Sequence, residues 1–127
     1  MSFNIDERLN DDGIEVEYEG SKFIIASAEN IKYQRILSKL RYPYRHKFEK
    51  DSVDPSILLD IMCKSLSQAI LLGWSEVKND KGQDVEFSIE NAYIALKNNG
   101  LFRSFVIGIA TELENFKAEY IDESIKS

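Results

Sequence analysis

Two residue types that occur once each bound the chemistry open to this chain: one histidine, His46, and one cysteine, Cys63. A catalytic histidine needs an oriented partner and a zinc site needs about four ligands, so neither residue supports such a site within a single chain. His46 lies in a basic run and reads as a surface residue. Cys63 sits among Ile61, Met62 and Leu66 and reads as a buried, inert thiol with no partner for an internal disulfide. The stretch Asn79 to Asp84 is rich in oxygen donors. As a calcium loop with Gly82 in sixth place, it would need an oxygen ligand at Val77 and a glutamate at Ser88, and it has neither. There is no GxSxG turn, no phosphate-cradling glycine loop and no GxGxxG. The carboxylates are numerous, but no spacing singles out an acid/base pair. The expectation is a non-enzymatic protein with no catalytic residue, metal or cofactor.

Two other constellations remain. Arg41, Tyr42, Tyr44, Arg45, Lys47 and Phe48 interleave cations with aromatics, as single-strand nucleic-acid binders do. The same residues also suit a loop whose aromatics anchor on the core while its cations stay solvated, or a contact with an acidic protein surface. Arg41, Arg45 and Lys47 are the candidate partner-binding residues. Trp74 and Phe87 either mark a ligand pocket or pin an ordered link against helices; their apolar neighbours favour the pin.

The charge is unevenly placed. The 127 residues carry a net charge of −6. Met1 to Asn30 holds eight acids against Arg8 and Lys22, Ile31 to Lys50 holds seven bases against Glu49, and Asp51 to Ser127 holds thirteen acids against seven bases. A basic island between acidic blocks suits a head-to-tail contact between copies, with Arg41, Arg45 and Lys47 meeting acidic residues of the next copy. The acidic total makes duplex nucleic acid an unlikely partner. The start, MSFNIDERLNDD, lacks the apolar stretch of a signal peptide, and no apolar run nears the ~20 residues of a membrane span. The chain reads as a soluble protein of a reducing compartment.

The elements that must position these residues are legible in outline. Ile14 to Ile25 alternates as a β-hairpin, with Gly20-Ser21 as a two-residue turn and Glu19 opposite Lys22. That register puts Ile14, Val16, Tyr18, Phe23 and Ile25 on one face. Asn30 caps a first helix with Tyr33, Ile36, Leu37 and Leu40 on one side, and Pro43 ends it. Asp54-Pro55 opens a second helix, apolar over most of its surface, with a polar stripe of Asp60, Lys64, Ser67 and Gln68 and a stop at Gly73. After a turn around Gly82, Val85 and Phe87 alternate as a short strand, and Ser88 caps a third helix ending at Gly100. A fourth runs from Leu101 to about Ile121 on the stripe Phe102, Phe105, Ile109, Leu113, Phe116, Tyr120. The expectation is one domain, 1–127, frayed over 1–12 and 122–127. Its class is α+β and mostly helical: a hairpin packed on about four helices, with a β-like link before the third.

Within this pattern, AILLGWSEVKNDKGQDVEFSIENAYIALKNN resembles the signature region of the tail assembly chaperones of long-tailed bacteriophages. In that family a helix ends in an apolar-Gly/Asp-Trp step, followed by a polar turn, a β-like piece and Ser-x-Glu-Asn opening the next helix. Leu72, Gly73, Trp74, Asp80, Gly82, Val85, Phe87, Ser88, Glu90 and Asn91 occupy those places. Asn30, Tyr33, Leu37 and Leu40 match an upstream motif, with Ile31 where proline is expected; Phe105, Ala110 and Phe116 match the closing helix. The resemblance implies a protein without catalysis. It would bind the tape measure protein, help recruit tail tube subunits, and in several cases self-associate. It would act in the host cytoplasm or come from a prophage, and be absent from the finished virion. It makes Trp74, Gly82, Phe87, Ser88, Glu90 and Asn91 a structural signature. A phage nucleic-acid-binding protein acting through residues 32–50 is the alternative.

Overall fold

The computed structural model describes residues 8–116. Its elements in order are α1 (Arg8–Asp12), β1 (Ile14–Tyr18), β2 (Ser21–Ile25), α2 (Ile31–Arg41), α3 (Arg45–Glu49), α4 (Pro55–Ala69), β3 (Leu71–Ser75), α5 (Ile89–Asn98) and α6 (Gly100–Thr111). The strands form an antiparallel sheet in the order β1-β2-β3. The fold is α+β and mostly helical, as expected.

The hairpin keeps its expected faces but not its expected turn. Tyr18 pairs with Ser21 and Val16 with Phe23, so the turn residues are Glu19 and Gly20. Both have positive φ, 49° and 83°, the type I′ pattern, which like the expected type II′ turn matches the twist of the strands. The pairing slides by two residues, so inward and outward faces are conserved. Glu19 is a costly occupant of a left-handed position that asparagine or glycine fills well. Glu19→Asn is expected to raise stability by roughly 0.5–1 kcal/mol, read as a higher midpoint in urea at unchanged slope. A lower midpoint would contradict the turn assignment.

Helix α2 is capped as expected: Asn30 is buried, its Oδ1 accepts from the Tyr33 N–H at 2.8 Å, and its Nδ2 donates to the Ser27 and Ala69 carbonyls. Its apolar row Tyr33, Ile36, Leu37 and Leu40 turns toward α4 but is only half covered, and α2 buries no residue completely. Pro43 does not force Tyr42 out of the helical region. Tyr42 has φ −54° and ψ −44°, and the chain continues as a 3-10 turn, Tyr42–Tyr44, into the short helix α3. Proline fits there because it sits in the first turn of the new segment, where no N–H is needed.

Helix α4 is central, flanked by α2, α5 and β3. Asp54 caps it by accepting from the Ser56 N–H at 2.9 Å. The expected polar stripe is corrected. Ser67 is buried, satisfied by donating to the Lys64 carbonyl, and Ser65 donates to the carbonyls of Ile61 and Met62, while Leu58 and Met62 are exposed. The helix ends at Ala69, not Gly73; Leu71 to Ser75 is a third strand paired with β2, with a bulge opposite Ile24 and Ile25. The expected strand at Val85 to Phe87 reduces to a single bridge between Lys78 and Asp84. Gly100 opens α6 instead of ending α5; the break falls at Asn99, with ψ 90°. Helix α6 stops at Thr111, and Leu113 to Phe116 follow as a 3-10 turn with Leu113 exposed and Phe116 buried. Helix α1 occupies part of the expected frayed start; residues 1–7, Tyr120 and the expected frayed end lie outside the described residues. The core joins the inward sheet face to the helices through Phe23, Ile25, Leu66, Ile70, Leu71, Leu96, Phe102 and Val106.

Candidate functional site

The signature residues build a braced link. The Trp74 Nε1 donates to the Val85 carbonyl at 2.8 Å, and its ring meets Phe87 edge-on at 5.1 Å and Phe23 edge-on at 6.2 Å between centroids. Asn79 Oδ1 accepts from the Lys81 and Gln83 N–H groups and closes the turn, where Gly82 takes φ 76°. Ser88 Oγ accepts from the Asn91 N–H at 3.0 Å, and Asn91 Nδ2 donates back to the Glu86 carbonyl at 2.9 Å. Glu90 is exposed in the first turn of α5, where its charge faces the positive end of the helix. Every polar side chain of the signature except Glu90 is spent on backbone, which suits bracing better than chemistry.

Beside that link lies an aromatic pocket of about 390 Å³. Tyr18, Phe23, Trp74 and Phe102 line it beside Val77, Ala95 and Asn99, and the exposed Glu19, Glu76 and Lys78 form its mouth. Phe23 and Phe102 rings meet at 4.9 Å, and Tyr18 and Phe102 at 5.8 Å. Ser21 Oγ donates to the Glu76 carbonyl at 2.7 Å and ties the hairpin tip to the segment after β3. The four aromatics come from four elements; the sequence places Tyr18, Phe23 and Phe102 on apolar faces, but only Trp74 of them was read as a pocket residue.

Arg41 ends α2 and Arg45 and Lys47 lie on α3; with the 3-10 turn between them they form a hook on which all three are exposed. The Arg41 guanidinium stacks on Phe48 and that of Arg45 on Tyr42, each at 4.2 Å from the ring centroid. Tyr42 is 63% exposed, so the hook presents this ring outward instead of anchoring it on the core. His46 is exposed and 3.7 Å from Glu49.

Cys63, Asp60 and Tyr93 have shifted proton affinities. Cys63 is buried between helices, and burial pushes its thiol up. Tyr93 Oη donates to Asp60 Oδ1 at 2.5 Å, and Lys64 Nζ lies 2.9 Å from the other carboxylate oxygen. The Tyr93 bond, then the Lys64 bond, hold the Asp60 carboxyl below its ordinary value, and the same Tyr93 bond pushes the phenol up to about 12. A phenol raised this far stays protonated at neutral pH and serves as a clamp between α4 and α5. The Tyr93 contribution is present below about pH 10, the ordinary phenol value, and is lost as pH rises through about 12. The Asp60 contribution is present at neutral pH and is lost as pH falls through its depressed value. Tyr93→Phe is expected to cost about 1 kcal/mol at pH 7, the low end for a bond to a charged group because the pair is half exposed. It should also shrink the alkaline loss, as read by denaturant midpoints from about pH 9 to about 12. Identical alkaline behaviour of wild type and variant would contradict this. Among the described residues, no group of three His, Cys, Asp or Glu could hold a metal ion.

The description of the YdaY prophage protein family matches residues 26–127, most of the chain. The chain belongs to that family. No curated protein and no solved structure matches it. The YdaY match begins at Ala26, directly after β2. It includes the hook, the braced link and the Trp74 and Phe102 walls of the pocket, and it leaves out the β1-β2 hairpin, which carries Tyr18 and Glu19. Membership makes this a phage-related, prophage-type protein. Among the described residues, no helix is long and apolar enough to cross a membrane.

Proposed function

We propose that this YdaY-family chain is a tail assembly chaperone: a non-catalytic protein that binds the tape measure protein and helps recruit tail tube subunits. Its phage family membership and its likeness to the chaperone signature support the reading. The observation that carries it is an apolar row left open on a helical face. Leu58 and Met62 sit one turn apart on the outside of α4, 42% and 40% exposed, beside an α2 that buries nothing completely. Such a face receives the apolar stripe of a client helix at i, i+3 and i+4 spacing. The tape measure protein, long and mostly helical, offers stripes of that kind.

The test is co-expression of the full chain with the tape measure protein of the same prophage. The double variant Leu58→Gln/Met62→Gln keeps helix propensity and removes the apolar row. It is expected to weaken the complex at least about tenfold while thermal unfolding stays within a few degrees. A wild-type chain that forms no complex would sink the proposal, and an unaffected double variant would move the client off this face. In the rival reading, residues 32–50 bind single-stranded nucleic acid. Against it, two of the aromatic faces that bases would need already carry the chain's own guanidinium groups.

A further inference from the structure

The aromatic pocket and the basic hook complement each other, and we infer that the hook of one copy seats in the pocket of a second. Three observations carry this. First, chemistry: the pocket walls are aromatic and its mouth carries Glu19 and Glu76, while the hook presents an exposed tyrosine already stacked with an arginine. Aromatic walls attract a cation through their ring faces, and desolvation strengthens that attraction. Second, charge: from Lys39 to Lys50 the chain has five Lys and Arg against Glu49 alone. Among the described residues, neither mouth glutamate is ion-paired, and Lys78 at the same mouth is already held by Asp84 at 2.6 Å. Third, placement: three described residues other than glycine have positive φ, and Glu19 and Glu76 are two of them, at 49° and 60°. Glutamate is a poor choice for this backbone, so both mouth positions keep a carboxylate where asparagine or glycine would be more stable.

The hook is built for docking at low cost. The 3-10 turn fixes its backbone, Arg45 Nη1 donates to the Tyr42 carbonyl at 3.1 Å, and the stacked pairs hold both arginines. Little side-chain freedom remains to be lost on contact. A cavity of about 390 Å³ is at the small end for ligand sites, about 300–1,000 Å³, and suits one or two side chains rather than a large molecule. Hook and pocket are different surfaces, so the contact is heterologous and can continue from copy to copy. Self-association is also what the chaperone resemblance implies, so the inference deepens the proposed function; client binding and self-association are read by different experiments, and either can fail alone.

Trp74 is the chain's one tryptophan and lines the pocket, so its emission reports occupancy directly. The experiment is sedimentation velocity of the full chain over a concentration series, with Trp74 fluorescence recorded in parallel. The wild type is expected to associate reversibly, with a shift in emission that tracks association and fades toward ~1 M salt. Glu19→Asn/Glu76→Asn removes both carboxylates and relieves the backbone, so it tests the mouth without threatening the fold; its association should weaken about tenfold. Tyr42→Ala/Arg45→Glu removes the knob, and its association should weaken at least about thirtyfold. Mixed together, the mouth variant and the hook variant should form a one-to-one pair that grows no further, since one intact hook meets one intact pocket. A monomeric wild type at every concentration would overturn the inference. So would association that leaves Trp74 emission unchanged, or mouth and hook variants that associate like the wild type.

Discussion

Trp74→Ala is expected to lower stability by about 3 kcal/mol and the melting temperature by roughly 10 °C. The residue is half-buried, which places it at the low end of the cost for removing a core tryptophan. It acts at one crossing point. Its indole N–H holds the Val85 carbonyl, its ring packs edge-on against Phe23 of the central strand, and Phe87 packs edge-on against it from the link. Removing it unpins the segment between β3 and α5 and opens a pocket wall. Trp74→Phe keeps an aromatic ring and loses the donor and part of the ring's volume, so it should cost less, about 1–2 kcal/mol. Thermal unfolding followed by circular dichroism separates the two. Equal, small losses for both variants would mean that the link is not held here.

Gly13→Ala is expected to cost about 2–4 kcal/mol, far more than Gly20→Ala, although both glycines have nearly the same backbone. Gly13 has φ 79° and Gly20 has φ 83°. A Cβ on Gly13 would stand 2.8 Å from the Ile25 carbonyl oxygen and 2.9 Å from its carbon, both backbone atoms of the central strand. A Cβ on Gly20 meets nothing within 4 Å. The Gly20 variant therefore carries the left-handed backbone cost alone, about 1–2 kcal/mol, whereas the Gly13 variant must also push β1 away from β2. The comparison holds φ nearly constant and varies space. Equal losses in denaturant midpoint would show that the approach at Gly13 is not tight.

What the sequence revealed, and what it hid, follows from the range of the forces involved. Caps are local, so Asn30, Asp54 and Ser88 were legible and each accepts the expected bond. The hairpin faces follow from period-two alternation and were legible too. Its turn was not: a glutamate in a left-handed position runs against propensity, and the pattern favours the turn with glycine first. Strand β3 was hidden because LLGWS continues the apolar run of α4 without a polar break, and a short apolar run without alternation looks like more of the helix. Gly73 suggested a helix stop; in fact it lies in the strand, where a Cβ would come 3.6 Å from Ile24 Cδ1. The stripe from Phe102 to Phe116 runs through the break at Glu112 because Phe116 is buried from a 3-10 turn as well as it would be from a helix. The pocket was invisible for a different reason. Tyr18 and Phe23 share the inward face of one hairpin, but Trp74 and Phe102 lie far from them in the chain, and no spacing rule brings all four together. The hook residues were legible as composition, but their stacking on Tyr42 and Phe48, with Tyr42 turned outward, was not.

Client binding on the open α2–α4 face is the centre of the account. The most direct measurement is hydrogen exchange of the full chain, alone and after co-elution with the tape measure protein of its own prophage. The account predicts a stable co-eluting complex, with new protection concentrated in α2 and in the α4 turns that carry Leu58 and Met62. It would be contradicted by a tape measure protein that elutes separately at micromolar concentrations, or by a complex that leaves α2 and α4 exchanging as they do in the free chain.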